Sequence, residues 1–381
     1  MSDWEEGSLQ DIAEIEMGQS PKGHTCNREG VGTPLLNGPT EFGIKNPEAI
    51  QFTTDAKKYS VPNDILFCVR GSTTGRMNWS DKKYAIGRGL AAIRHKKGIK
   101  YKYFLRAVIE YNLPVLLNSA TGSTFPNVSK SQLEGLKINI PPLSEQESIS
   151  SILSSLDQKL NLLYNQNITL ELIAGNLFRH WFVDPSDDSW ETHRIKEYVI
   201  HLKNSVSPSS NPDVLFSHYS IPAYDNGGEP NLELGSEIRS SKYQVTSNTI
   251  LVSKLNPRFP RVWPIYGSVE PNSICSTEFQ VFKPKNLDVF PFLYYLFKSD
   301  AVTSELEMAA SGTSGSHQRV RPSVMLNVEF SIPNKNKAIE FSGIIRPSLE
   351  KINQNKTQMQ TLEKLRNTLL SKLISGDIKV T

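Results

Sequence analysis

One run of apolar residues at alternating steps of four and three constrains this chain more than any other feature. Ile149, Leu153, Leu156, Leu160 and Leu163 are followed by Asn167 and then by Leu170, Ala174, Leu177 and Trp181. This spacing is a heptad seam, which gathers the apolar groups on one stripe of a helix, and it carries a single polar interruption. Just upstream, Ile140-Pro141-Pro142 and the S-x-x-E pair Ser144 and Glu147 mark a helix start. The Ser hydroxyl and the Glu carboxylate suit the backbone N–H groups that a first turn leaves open. A helix from Glu147 to Val183 is about 55 Å long at 1.5 Å per residue. Helical stability comes from burying such a stripe, so the helix needs a partner.

The partner lies in the same chain. Adding 192 to each seam position gives Phe341, Ile345, Ser348, Ile352, Asn355, Met359, Leu362, Arg366, Leu369 and Leu373, most of them apolar, with Leu349 and Leu365 beside two of the gaps. The same offset carries Ile140-Pro141 onto Ile332-Pro333 and Leu170-Glu171 onto Leu362-Glu363. Charge agrees with pairing: 145–184 holds two basic residues against five acidic, and 335–381 holds nine against four. The expected helix-pair interface is Leu153, Leu156, Leu160, Leu163, Leu170 and Leu177 with Ile345, Ile352, Met359, Leu362 and Leu369. Asp157 and Glu171 read as exposed surface charge on this helix.

What precedes each helix is also repeated. Residues 1–144 lack long helical periodicity and show short β-rich runs at Ile50–Thr53, Asp64–Val69, Tyr84–Ile86, Leu90–Arg94 and Leu136–Ile140, with a helix around Tyr101–Tyr111. Residues 185–334 follow the same plan. Asp3-Trp4 resembles Ser189-Trp190, Asn63–Phe67 resembles Asn248–Val252, and Ala120–Thr124 resembles Ala310–Ser314. A period near 190 residues is a tandem duplication, too long for a solenoid. The fold class expected is α+β, with two β-rich domains (1–144 and 185–334) joined by two long antiparallel helices (145–184 and 335–381) in a coiled coil with an internal pseudo-two-fold repeat. A dumbbell follows, in which helix length sets the distance between the globules.

Composition excludes several classes. The opening MSDWEEGSLQ is polar and acidic, unlike a signal peptide, and no apolar run approaches a membrane span. Cys26, Cys68 and Cys275 are odd in number and far apart, with neither a disulfide framework nor zinc-ligand spacing. A cytoplasmic chain, with no membrane partner and no metal, is expected. Catalytic signatures are missing as well. Gly71-x-x-x-Gly75-Arg76 lacks the G-K-[ST] of a phosphate-binding loop. Gly87-Arg-Gly89-Leu-Ala-Ala92 runs into a strand where a dinucleotide site needs a helix. The chain is expected to do no chemistry of its own.

The net charge of +3 announces no nucleic-acid binder, but local clusters do. Lys82 to Arg106 holds nine basic residues and no acidic one, and Arg239 to Arg261 holds five and none. His317, Arg319 and Arg321 form a further acid-free patch. Two segments look built to project side chains. Val69–Asn78 is punctuated by glycine, with Arg70, Ser72, Thr73, Arg76 and Asn78; Ser253–Trp263 occupies the equivalent place, with Pro257 and Pro260 stiffening Lys254, Asn256, Arg258 and Arg261. With Arg88, these residues are the candidate DNA contacts, since cations suit phosphates and Arg and Asn suit base edges.

Over essentially its whole length the chain resembles the specificity subunit of type I restriction-modification systems. The resemblance rests on Ile138-Asn-Ile-Pro-Pro-Leu-Ser-Glu-Gln146, Leu156-Asp-Gln-Lys-Leu160, Leu177-Phe-Arg-His-Trp-Phe-Val-Asp184 and Gly122-Ser-Thr124. In the second half it rests on Leu362-Glu-Lys-Leu-Arg366 and Leu370-Ser-Lys-Leu-Ile-Ser-Gly376. Asn334-Lys-Asn-Lys337 departs from the Pro-Leu-x-Glu-Gln expected at the second helix start. The resemblance implies that each β-rich domain is a target recognition domain for one half of a split double-stranded DNA sequence. It implies that the paired helices set the spacer and dock two modification subunits, adenine methyltransferases that carry S-adenosylmethionine. It further implies motor/nuclease restriction subunits that use ATP and Mg, while this chain binds no cofactor. The alternative is a non-catalytic protein-binding scaffold of two modules on a coiled coil.

Overall fold

The computed structural model describes residues 4–43, 46–119, 126–185, 189–310 and 318–380. It comprises two compact units, Met1–Leu162 with Met359–Thr381, and Leu163–Gln358.

In the first unit, strand Glu5–Ser8 pairs antiparallel with Lys137–Ile140, which leads into a long helix. A four-stranded sheet follows the order Ala13–Met17, Leu90–His95, Ile65–Cys68, Met77–Trp79. A five-stranded sheet follows the order Cys26–Asn27, Gln51–Thr53, Thr33–Leu36, Tyr84–Ile86, Tyr59–Ser60, with Thr33–Leu36 and Tyr84–Ile86 parallel. Ile65–Cys68 is apolar at every position because both of its faces are covered. Side chains alternate across a strand, so Ile65 and Phe67 enter a core shared with Phe104, Val108 and Ile149. Leu66 and Cys68 enter another with Leu36, Tyr84 and Ile86. The helix expected to end near Tyr111 runs from Lys102 to Asn118, passing through Pro114.

The second unit repeats these three sheets. Glu191–Arg194 pairs with Glu329–Ile332, and the four-stranded order is Val199–Leu202, Phe279–Pro284, Thr249–Ser253, Val262–Ile265. The five-stranded order is Ser205–Val206, Lys242–Gln244, Ser273–Cys275, Leu215–Tyr219, Asn231–Leu234, again with one parallel pair in its interior. Four strands correspond between the five-stranded sheets. The first unit adds Cys26–Asn27 beside Gln51–Thr53, whereas the second adds Ser205–Val206 beside Lys242–Gln244, at the opposite edge of the shared set.

The long helices are Leu143–Phe182 and Lys335–Ser375, and their starts keep the repeat offset (143 + 192 = 335). Each unit takes one half of each helix, and within each unit the halves run antiparallel. In the first, Arg366 bonds Asp157 while Trp4 bonds Glu145 and packs its ring near Gly376. In the second, Asn355 bonds Asn167 while Phe341 packs against Phe178 and Phe182. Of the expected interface residues, Leu153, Leu163, Ile345 and Ile352 are buried, and Leu156, Leu160, Leu170, Leu177, Met359, Leu362 and Leu369 are half-buried. The polar interruption is matched by another. Asn355, 0% exposed, donates its amide to Gln166 Oε1 at 2.9 Å and Asn167 Oδ1 at 2.8 Å.

Three local expectations are corrected. The first long helix begins at Leu143, one residue ahead of Ser144, and Gln146 N donates to Pro142 O. Glu147 bonds Lys100 Nζ at 2.6 Å instead of closing a capping box. At the second helix start, Asn334 does the capping, its Oδ1 accepting from Lys337 N at 3.1 Å, so the departure from the Pro-Leu-x-Glu-Gln pattern keeps a good N-cap residue. Asp157 and Glu171 are not solvated surface charges. Asp157 is enclosed with Arg366, and Glu171 accepts from Tyr294, Tyr295 and Lys298.

Candidate nucleic-acid interface

In each unit one interior strand of the four-stranded sheet, Ile65–Cys68 in the first and Thr249–Ser253 in the second, ends at a junction of three loops fixed by main-chain hydrogen bonds. In the first unit, Val69 N donates to Gly89 O at 2.9 Å, Val128 N donates to Val69 O at 2.9 Å, and Arg70 bridges Asn127. In the second, Lys254 N donates to Glu278 O at 2.8 Å, Val320 N donates to Lys254 O at 3.0 Å, and Leu255 bridges Arg319. The loops carrying Arg70–Arg76, Arg88 and Asn127 therefore meet, and so do those carrying Lys254–Arg261, Glu278 and Arg319–Arg321. Buried backbone groups demand partners, and these bonds make the junctions rigid mounts.

The first junction depends on glycine. Gly71 and Gly75 take φ of +92° and +93° within a hairpin loop closed by Gly75 N to Cys68 O and Cys68 N to Arg76 O. Such angles are open to glycine at low cost. A Cβ at Gly75 would fall 2.7 Å from Leu113. Gly87 and Gly89 flank Arg88 for a different reason, since a Cβ on either would collide with Asn37. Arg88 thus projects from a turn whose neighbours are pressed against the five-stranded sheet. Arg70, Ser72, Thr73, Arg76 and Arg88 are all exposed, and among the described residues none of these arginines forms an ion pair. Asn78 is different. It is 4% exposed, its Nδ2 donates to Gly43 O and its Oδ1 accepts from Trp79 N. Asn78 therefore leaves the set of candidate contacts, because a strand position turned inward must have its amide satisfied within the fold.

The second junction is differently charged. Arg258 is exposed and lies 5.5 Å from the Phe259 ring centroid; Arg321 is exposed and Lys254 half-buried. Asn256 adopts φ +48° and its N–H donates to Gln318 O. Arg261 and Arg319 instead carry carboxylate partners. Arg261 forks onto Asp225 (Nε to Oδ1 2.7 Å, Nη2 to Oδ2 2.8 Å), and Arg319 forks onto Glu278 (Nη2 to Oε1 3.0 Å). Donating to its carboxylate raises each arginine's pKa above its ordinary value. His317, like Gly122-Ser-Thr124, lies outside the described residues.

The long basic run 82–106 does not form one face. It threads two strands, the turn between them and a helix, and several of its cations meet acids outside the run. Arg94 bonds Asp64 at 2.7 Å, Lys100 bonds Glu147 at 2.6 Å and Arg106 bonds Glu110 at 2.8 Å. Lys83 lies over the Tyr59 ring. Of this run, Arg88 is the member that the loop junction presents. Charge counting passes over Asp225 and Glu278 because each lies outside the acid-free windows; Asp225 comes from the end of the helix Ile221–Asp225 and Glu278 from the turn before the strand Phe279–Pro284. Among the described residues, no group of three or more His, Cys, Asp or Glu could hold a metal, and no helix is long and apolar enough to cross a membrane.

The family described as "Type I restriction modification DNA specificity domain" matches residues 1–172 and again 187–374. The MjaIX specificity subunit of Methanocaldococcus jannaschii is 23% identical over 99% of this chain and 94% of its own length. The putative MjaX specificity subunit of the same organism is 35% identical over 42% of this chain, an alignment that spans 38% of that relative. The crystal structure of a type I restriction-modification system S subunit from M. genitalium superposes with a TM-score of 0.60 at 17% identity, covering 98% of this chain and 96% of that one. That likeness is one of fold.

Proposed function

Because the chain belongs to the type I restriction modification DNA specificity family, we propose that it is the DNA-recognition subunit of a type I restriction-modification complex and that each unit reads one half of a split duplex target. The observation that carries this reading is the repeated three-loop junction, which mounts Arg70, Arg76 and Arg88 in one unit and Lys254, Arg258, Arg319 and Arg321 in the other. Phosphate contacts from such residues position a protein on DNA, and base-edge contacts specify sequence. The chain binds no cofactor in this scheme. Two modification subunits bring S-adenosylmethionine, and restriction subunits bring ATP and Mg. The methyltransferase flips the target base while this subunit selects it.

The experiment is methylation-sensitive long-read sequencing of the host genome with and without the gene. A split motif whose adenines in both halves lose methylation on deletion is the expected result; an unchanged methylome in a strain that expresses the complex refutes the reading. Arg258→Ala is expected to weaken discrimination at one half of the motif by about 1–3 kcal/mol and to leave the other half as it was. Competition binding with duplexes altered in one half at a time reads this directly, and equal loss at both halves would reduce Arg258 to a general phosphate contact.

A further inference from the structure

The two junctions differ at corresponding positions, and the difference has a use. The main-chain bonds place Glu278 where the first unit has Gly89, and Arg319 where the first unit has Asn127. We propose, resting on the reading above, that Glu278 is a positioning residue for recognition of the second half-site, holding the Arg319 guanidinium in one plane so that it reads a guanine edge.

The geometry supports this in three steps. Both backbones are clamped to the same strand end, Glu278 through its carbonyl to Lys254 N and Arg319 through its bridge to Leu255. The side chains then form a fork. Arg319 Nε lies 3.2 and 3.1 Å from the two Glu278 oxygens, and Nη2 lies 3.0 Å from Oε1. Finally, this pair is neither sealed off nor fully solvated, the side chains being 47% and 23% exposed for Arg319 and Glu278. The guanidinium edge that carries Nη1 is not used by the carboxylate.

An acid on a DNA-facing loop repels phosphates and weakens the counterion-release contribution that drives non-specific binding. It is therefore a poor choice for an arginine that serves only as a phosphate contact. It suits an arginine that must present two parallel donors, because bidentate recognition of guanine O6 and N7 depends on the orientation of the plane. A pre-formed fork also removes rotamer freedom before DNA arrives. The carboxylate itself is engaged at both oxygens by Arg319, which leaves the reading to the arginine. Asp225 and Arg261 repeat the arrangement one loop away, where Arg261 also reaches Phe259 O and braces the loop that holds Arg258.

The test uses the full chain assembled with its modification subunit, presented with a duplex library randomised across both half-sites, and scored by which molecules become methylated. Glu278→Ala is expected to flatten base preference about tenfold at one or two positions of the second half-site, with the first half-site profile unchanged. Binding of an unrelated duplex should meanwhile rise about twofold or more, since a negative charge has left the interface. That rise reports that the pair faces DNA, and the base-preference profile reports the positioning role. Glu278→Gln, which keeps one acceptor oxygen, should fall between wild type and Glu278→Ala. Arg319→Ala should flatten the same positions while lowering non-specific binding. An unchanged profile in Glu278→Ala beside a changed one in Arg319→Ala overturns the positioning role, as does equal flattening of both half-sites. A wild-type complex without sequence preference would instead sink the reading on which the proposal rests.

Discussion

Replacing Phe341 by alanine is expected to lower the melting transition of the second unit by about 6–20 °C. Phe341 is 0% exposed, and its ring lies 5.7 Å from that of Phe178, 5.5 Å from Phe182, 6.1 Å from Trp181 and 6.1 Å from Tyr295. It is thus the point at which the second long helix meets both the end of the first and the helix Phe290–Lys298. Truncating a buried phenylalanine removes its transfer free energy and leaves a cavity that neighbours fill incompletely, a loss of about 3–5 kcal/mol. At about 2–4 °C per kcal/mol for a unit of this size, the shift is large enough to separate two transitions. Calorimetry of the full chain is the measurement. A melt indistinguishable from wild type would mean that this aromatic cluster does not hold the unit together.

Arg366→Met should cost the first unit about 3–5 kcal/mol near neutral pH, because removing one member of an enclosed ion pair strands the others. Arg366 donates to Asp157 Oδ1 at 2.9 Å and to Glu110 Oε2 at 2.6 Å, with the three side chains 17–19% exposed. Burial pushes the Asp157 pKa up, and Arg366 and Arg106 oppose that rise. A carboxyl whose folded-state pKa lies above its unfolded value binds more protons when folded, so the fold gains stability as pH falls through that window. Without Arg366 the opposition weakens and the window widens upward. The penalty should therefore be largest near pH 7 and shrink towards about pH 5, read from urea midpoints at the two pH values. Arg366→Met combined with Asp157→Leu should recover most of the loss, since an apolar pair of similar volume needs no partner and Glu110 keeps Arg106 at 2.8 Å. A penalty that is the same at both pH values would show that lost packing, not stranded charge, is responsible.

The parts of this molecule that follow from spacing were legible in its sequence. The seam at Leu153, Ile345 and Ile352 and the 192-residue offset depend on apolar periodicity alone, and helix starts at Leu143 and Lys335 keep that offset. The apolar strands Ile65–Cys68 and Thr249–Ser253 were visible for the same reason. Contacts made by residues far apart in the chain were not. Arg366 occupies a seam position, yet which acids enclose it depends on the helix Lys102–Asn118 bringing Glu110 alongside Asp157. Asn78 sits in a polar, glycine-flanked loop by sequence, but the strand Met77–Trp79 turns it inward onto Gly43 O. Counting charge along the chain credited Arg261 and Arg319 as free cations, because Asp225 and Glu278 come to them from a helix end and a turn that are distant in sequence. An arginine at a heptad seam position was a signal that could have been used. It requires an acid nearby, and Asp157 and Glu110 are acids on flanking helices.

The composition of the first unit bears on how the chain is made. Ile149 and Leu153 share their core with Leu370, Leu373 and Ile374, yet Leu370 follows Leu153 by 217 residues (370 − 153). At translation rates of roughly 5–20 residues per second, about 10–40 s separate the synthesis of the two halves of that core. The second unit is one continuous segment, 163–358, and can close as soon as it has emerged. The first to be synthesised is thus the last to be finished, and in the interval it carries an uncovered apolar stripe that a chaperone could shield.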